Sequence, residues 1–316
     1  MYPDINKVKT VSSLGGGPIG AGWAAHFLSK GYKVKSYIHD IGEKSSYELI
    51  VKTAWTSLKE IGLHKLASLE NLMISTNLDE ALHETHFVQE SIPEVLDLKR
   101  HFYQVLGKIV PKEIIIASST SGLTMTKIQK LCSTPERTVI GHPFNPPYLL
   151  PLVEIVGGKK SCASAVEWAF AFYKHAGKEP LSMKKEIPGF VATRLQEALW
   201  REALHMVAAD EATPEQIDTA LINGPAPRMA VQGQCMAFHV ACGEGGMETN
   251  LDQFGPALKL PWTRLKAPEL SQDLRDKMVD GCKEMAKGKH FLKMAKDRDN
   301  AIAAILNALK NNHPND

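Results

Sequence analysis

Gly15, Gly17 and Gly20 form G-x-G-x-x-G directly after the run KVKTVSSL and directly before AGWAAHFLSKG. The first run reads as a β-strand, although Ser12 and Ser13 make it more polar than a central strand usually is. The second has the apolar spacing of a helix that Gly31 closes at C′. YKVKSYIHD follows as a second strand, so the segment is a βαβ unit of about 30 residues. In that context each glycine has its own task. The first permits a tight turn, the second lets a pyrophosphate reach the backbone, and the third lets helix and strand pack closely. The phosphates of a dinucleotide belong at the helix N-terminus, beside Pro18 and Ile19, where unpaired N–H groups favour anions. Asp40, 20 residues beyond Gly20, is the candidate acid for the adenosine ribose hydroxyls, which favours NAD over NADP. No arginine stands near the end of that strand to receive a 2′-phosphate.

Further strands are expected near 73–76, 86–91, 113–119, 137–142 and 149–156, with helical stretches between most of them. This alternation predicts an α/β architecture, a Rossmann-like, doubly wound, mostly parallel sheet covered on both faces. SAVEWAFAFYKHAG reads as a helix closed by Gly177, followed by a short strand in EPLSM. The character changes near IPGF, where Pro188 and Gly189 open a helical run to about Ala209, with Val191, Leu195 and Leu199 stepping at i+4. Thr213, Pro214 and Gln216 have the form of a capping box, so another helix starts there. The expected organisation is a dinucleotide-binding domain over 1–187 and an all-helical domain over 188–316. The chain has 316 residues, with 37 basic against 35 acidic side chains, a balance that gives no support to a nucleic-acid partner. No apolar run is long enough to span a bilayer, the first residues do not form a secretory signal, and the five cysteines include no C-x-x-C pair. These features predict a cytoplasmic protein with free thiols and no metal site.

SSTSGL at 118–123 and GHPFNPPYLLPLVEIV at 141–156 place Ser121 21 residues before His142, and Glu154 12 residues after it. Together with the glycine motif and the later PGF-x-x-x-R element, these stretches resemble the L-3-hydroxyacyl-CoA dehydrogenase family over nearly the whole chain. The resemblance implies NAD as cofactor and His142 as general acid/base, with Glu154 orienting its imidazole. It also implies that Ser121 bonds the reacting oxygen, that Asn145 places nicotinamide or substrate, and that Glu94 and Lys99 touch the ribose and nicotinamide side. Oxidation of a secondary alcohol needs these residue types independently. A base that titrates near neutrality must take the hydroxyl proton, and a carboxylate behind the imidazole fixes its tautomer. The oxidation rate is accordingly expected to rise with pH through the imidazole range. Against the family pattern, Ser119 and Thr193 replace asparagines, and the ribose acid usually falls at the position of Ile38. The first two departures bear on acyl-CoA specificity rather than on hydride transfer.

Within the family, SSTSGL, LQEALWREALHMV and FGPALKLPWT resemble the members that oxidise L-carnitine, which makes that small molecule the expected substrate. A quaternary ammonium has no N–H, so aromatic faces and carboxylates must hold it. Phe144, Tyr148, Trp200, Phe254 and Trp262 are candidate walls, and Arg194, Arg228 or Lys259 candidate partners for the substrate carboxylate, with Thr193 beside them. Met229 stands where carnitine enzymes can carry a tryptophan. Other L-3-hydroxy acids, such as L-gulonate or a 3-hydroxyacyl-CoA, and a crystallin-like structural role are the alternatives. The resemblance further implies a homodimer, built through the helical domain, with the active site between the two domains.

Overall fold

Eight strands join in one sheet in the computed structural model, which describes residues 2–263 and 271–290 together with 293, 294, 297, 304 and 308. They are β1 (Thr10–Leu14), β2 (Lys33–Tyr37), β3 (Leu72–Ser75), β4 (Phe87–Glu90), β5 (Ile116–Ser118), β6 (Thr138–Pro143), β7 (Leu152–Gly157) and β8 (Glu179–Ser182). Each falls on a segment that the sequence marks as a strand. Their order is β3-β2-β1-β4-β5-β6-β7-β8. The first six are parallel in the arrangement of a doubly wound dinucleotide fold. β7 then turns antiparallel to β6, with β8 parallel to β7.

Helices α1 (Pro18–Ser29), α2 (Lys44–Ile61), α3 (Leu78–Leu82), α4 (Leu96–Ile109), α5 (Met125–Ile128) and α6 (Ala163–His175) cover the sheet. Alternating strand residues divide the core. Phe87, Ala117, Val139 and Ile155 bury against α1, α2 and α6, while their neighbours Val88, Ile116, Ile140 and Val156 bury against α3, α4 and α5. The two serines that make β1 polar are buried and satisfied: Ser12 Oγ donates to the Ala81 carbonyl at 2.6 Å and Ser13 Oγ to the Gly20 carbonyl at 3.0 Å.

The described chain forms two compact units, residues 1–194 and 195–316. After β8, all regular elements among the described residues are helical: α7 (Val191–Ala208), α8 (Pro214–Asn223), α9 (Pro225–Ala241), α10 (Gly246–Phe254) and α11 (Gln272–Ala286). Thr213 caps α8 with the expected reciprocal box, its hydroxyl accepting from Gln216 N–H at 3.2 Å. Met236, Val240, Met247 and Cys282 form the small core of the second unit. The five cysteines are unpaired. No helix among the described residues is long and apolar enough to cross a membrane.

α7 begins three residues later than the Pro188 start expected from sequence. Gly189 and Phe190 take positive φ values of 73° and 51°, which no helix accommodates, so the first helical residue is Val191.

Candidate active site

The glycine turn sits where β1 and β4 diverge, the switch point of the sheet. Gly15 has φ +135°, and a Cβ there would lie 2.6 Å from the Ser91 carbonyl carbon. A Cβ on Gly20 would collide with the Gly15 carbonyl oxygen, so α1 packs against the turn only because both positions lack side chains. Gly17, by contrast, has nothing within 4 Å of its missing Cβ. It is also the N-cap of α1 and makes no side-chain capping bond. The turn is therefore crowded toward the protein and open above Gly17, with exposed Pro18 and half-buried Ile19 beginning the helix. Backbone donors facing open space suit the phosphates of a dinucleotide.

The acids around this turn are distributed differently from the sequence reading. Ile38 is fully buried and Asp40 is exposed, its Oδ1 accepting the Gly42 N–H at 2.6 Å to cap the short 3₁₀ turn Ile41–Glu43. Glu43 reaches back instead, and its Oε2 accepts the His39 N–H at 3.3 Å.

Glu94, Lys99 and Ser121 come together in one hydrogen-bonded network. Lys99 is 1% exposed; its Nζ donates to Glu90 Oε1 at 2.6 Å and to the Ile92 carbonyl at 3.0 Å, and lies 3.7 Å from Glu94 Oε2. Glu94 Oε1 accepts from the N–H groups of Ser121 and Gly122 at 3.1 Å each and from the Thr120 hydroxyl. Glu94 thus shapes the loop that carries Ser121. Glu90, buried at the end of β4, also accepts the Ser118 hydroxyl at 2.6 Å and completes the network. The sequence reading missed Glu90, though its place four residues before Glu94 and nine before Lys99 was visible. Ser119, at a family asparagine position, accepts from Trp23 Nε1 at 3.2 Å and Gln89 Nε2 at 2.8 Å. With both lone pairs taken, its own proton goes to Ser91 Oγ at 2.8 Å.

His142 and Glu154 meet because β6 and β7 are antiparallel. They are directly opposed in the register, and the twelve-residue spacing is a hairpin with residues 144–151 as its connection. Nδ1 of His142 donates to Glu154 Oε2 at 2.8 Å, the two side chains being only 7% and 0% exposed. A proton fixed on Nδ1 leaves Nε2 of the neutral ring with its lone pair. The other oxygen of Glu154 accepts the N–H groups of Val191 and Ala192 at 2.8 and 2.9 Å, capping the start of α7. Burial works against the charge on Glu154, but the bonds from His142, Ala192 and Val191 outweigh it and hold the carboxyl below its ordinary range. Phe144 and Phe190 pack on the imidazole with ring centroids 5.2 and 5.4 Å away.

Asn145 is exposed in the hairpin connection and precedes a cis Pro146, while Tyr148 is half-buried against the sheet core. That connection is held from below by Lys178, which donates to the carbonyls of Pro147 and Leu150 and lies over the Trp23 ring at 5.1 Å. Thr193 and Arg194 stand in the first turn of α7, next to Gly189. Arg228, Phe254, Trp262, Trp200 and Lys259 belong to the second unit and are exposed in it, Trp262 to 72%.

Two family models cover this chain: the 3-hydroxyacyl-CoA dehydrogenase NAD binding domain over residues 10–187 and the C-terminal domain of the same family over 189–293. The chain belongs to the 3-hydroxyacyl-CoA dehydrogenase family. It is thereby an NAD-dependent oxidoreductase of the hydroxyacyl dehydrogenase type. It is 50% identical over 303 residues to an L-carnitine dehydrogenase of Nocardiopsis dassonvillei, covering 96% of this chain and 92% of that one. It is 40% identical over 306 residues to an L-carnitine dehydrogenase of Pseudomonas aeruginosa, covering 97% and 95%. Among solved structures, the 3-hydroxybutyryl-CoA dehydrogenase of Escherichia coli matches with a TM-score of 0.63 at 26% identity, over 87% of this chain and 57% of that one. The fold is also that of 5-formyl-3-hydroxy-2-methylpyridine 4-carboxylic acid 5-dehydrogenase, with a TM-score of 0.73 at 24% identity, over 94% and 97% of the two chains.

Proposed function

We propose that this chain oxidises L-carnitine at C3 to 3-dehydrocarnitine, with His142 as the acid/base and Glu154 as the residue that orients it. The buried 2.8 Å contact between Nδ1 and the carboxylate carries the chemical part of this reading. The likeness to L-carnitine dehydrogenases along nearly the full chain supports the substrate.

When bound, NAD would supply the hydride acceptor for this oxidation. His142 takes the C3 hydroxyl proton at Nε2, and Glu154 steadies the imidazolium that results. Ser121 bonds the reacting oxygen, its loop held by Glu94, and Asn145 helps to place the reactants. Gly15, Gly17, Pro18, Ile19 and Gly20 would hold the phosphates of NAD, with Glu94 and Lys99 on its ribose and nicotinamide side. Trimethylammonium has no N–H to donate but is attracted to aromatic faces. Phe144, Tyr148, Phe254 and Trp262 offer such faces, while Thr193, Arg194 and Arg228 offer donors for the substrate carboxylate. The reading includes a helical domain over 188–316 that contributes to substrate binding, a homodimeric enzyme and a cytoplasmic location.

Rates with NAD and a panel of L-carnitine, D-carnitine, L-gulonate and 3-hydroxybutyryl-CoA test the substrate. L-Carnitine is expected to exceed every other member in kcat/KM. Negligible turnover of it beside any other member overturns the substrate assignment.

A further inference from the structure

We infer that Glu43, rather than Asp40, is the carboxylate that receives the adenosine ribose hydroxyls of NAD, and that it sets the preference for NAD over NADP. The inference rests on the glycine turn as the NAD site.

In a βαβ dinucleotide site the ribose lies between the C-terminal end of the second strand and the glycine turn, and an acid there accepts from its hydroxyls. The usual source of that acid fails in this chain. Ile38 is buried hydrocarbon, and its N–H is taken by the Ser75 carbonyl at 3.1 Å. Asp40 turns toward its own backbone, with Oδ1 on the Gly42 N–H at 2.6 Å. Glu43 is one methylene longer and follows the same turn, so it folds back over the gap. Its Oε2 accepts the His39 N–H just past β2. On the other side the same carboxylate covers Gly16, where an added Cβ would overlap Oε2 and come within 2.8 Å of Cδ. The carboxylate therefore bridges the end of β2 and the glycine turn, the two walls of a ribose subsite.

Gly16 is an independent observation. The x of G-x-G needs no glycine for phosphate binding, since only the flanking positions carry that task. In GGGPIG that position is nevertheless glycine, and its missing side chain is what gives the Glu43 carboxylate its space. A carboxylate there accepts from the 2′- and 3′-hydroxyls of NAD and repels the 2′-phosphate of NADP. The segment from Lys33 to Lys44 holds no arginine to offset that repulsion.

The test is titration of the purified full chain with NADH and with NADPH by nucleotide fluorescence, for the parent, Glu43→Gln, Asp40→Asn and Gly16→Ala. Gln keeps an acceptor for His39 and loses the charge. Glu43 is exposed, so the variant's melting temperature serves as the check on folding. Glu43→Gln is expected to weaken NADH about tenfold and to narrow the NADH-to-NADPH ratio, because hydrogen bonds to a charged acceptor are the strong ones. Gly16→Ala, which crowds Glu43 aside, is expected to weaken NADH and narrow the NADH-to-NADPH ratio as Glu43→Gln does, and Asp40→Asn to stay within about twofold of the parent. A Glu43→Gln protein within about twofold of the parent for both nucleotides, or an equal loss in Asp40→Asn, overturns the inference. A parent that binds neither nucleotide overturns the NAD site itself, and the assignment of Glu43 with it.

Discussion

Glu154 serves three donors at once, an imidazole N–H on one oxygen and two backbone N–H groups on the other. An amide cannot copy this. In Glu154→Gln the NH₂ must face either His142 Nδ1–H or the start of α7, donor against donor. The expected result is a kcat about 10²- to 10⁴-fold lower, the scale seen when a buried carboxylate behind a catalytic histidine becomes an amide. NADH affinity is expected to stay within about twofold, because the nucleotide turn is untouched. Steady-state rates beside an NADH titration check both, and a kcat near the parent value removes Glu154 from the mechanism. At this scale the sequence was informative where spacing mattered. The twelve-residue interval between His142 and Glu154 was visible before any coordinates, and the antiparallel pairing of β6 and β7 places those two residues opposite one another. Glu43 was not legible, since its role depends on a side chain folding back across a turn. Nor was Ser119, whose three partners come from α1 and β4 and from Ser91 just beyond it.

The glycine turn and α1 behave as one element with two kinds of glycine. Gly20→Ala places a methyl on the Gly15 carbonyl and should push α1 off the turn, costing about 1–3 kcal/mol of stability as overpacking does. Gly17→Ala meets nothing in the protein, so its melting temperature is expected to match the parent while NADH binding falls. Thermal melts and NADH titrations of the two variants separate packing from phosphate approach. A Gly17→Ala protein with full NADH affinity counts against the turn as the phosphate site. Element by element, all eight strands were readable, some from apolar runs and the more polar β1, β2 and β8 from their place between turns and helical stretches. The antiparallel turn of β7 was not, because a buried strand carries the same composition in either direction. The start of α7 was misplaced for a comparable reason: Pro188 and Gly189 look like a helix opening, yet the left-handed Gly189 and Phe190 delay it. What starts the helix there is Glu154, far away in sequence.

For the molecule as a whole, three buried groups make stability depend on pH in one direction. His26 is held well below its ordinary 6.5 by burial and by the charges of Lys178 and Lys30, and its Nε2–H donates to the Ala176 carbonyl at 2.9 Å. Lys178 is lowered from 10.5 to about 7 by burial and by Lys30. In both cases the unfolded chain binds protons more readily than the folded one, so stability rises with pH. The His26 contribution is lost as pH falls below 6.5, and the Lys178 contribution builds between about 7 and 10.5. Glu154, held below its ordinary 4.5, adds a further loss at still lower pH, where its charge is titrated away. The unfolding free energy from urea titrations is therefore expected to climb from about pH 5 to about pH 9, by up to about 3 kcal/mol above pH 7 from Lys178 alone. Lys178→Met should flatten the part above pH 7; an unchanged slope there would mean that Lys178 stays charged in the fold. The hairpin of β6 and β7 has a consequence at this scale as well. Opposed strands act as a caliper whose jaws are His142 and Glu154, and a one-residue slip in β7 would turn the carboxylate to the far face of the sheet. The bend joining the jaws, residues 144–151, lies outside that register, although Lys178 holds its Pro147 and Leu150 carbonyls and Phe144 packs on the His142 ring. Exchanges at the exposed Asn145 and Leu149 can retune what the enzyme accepts while the proton-handling couple stays in gauge, which makes those positions the natural place to redesign selectivity.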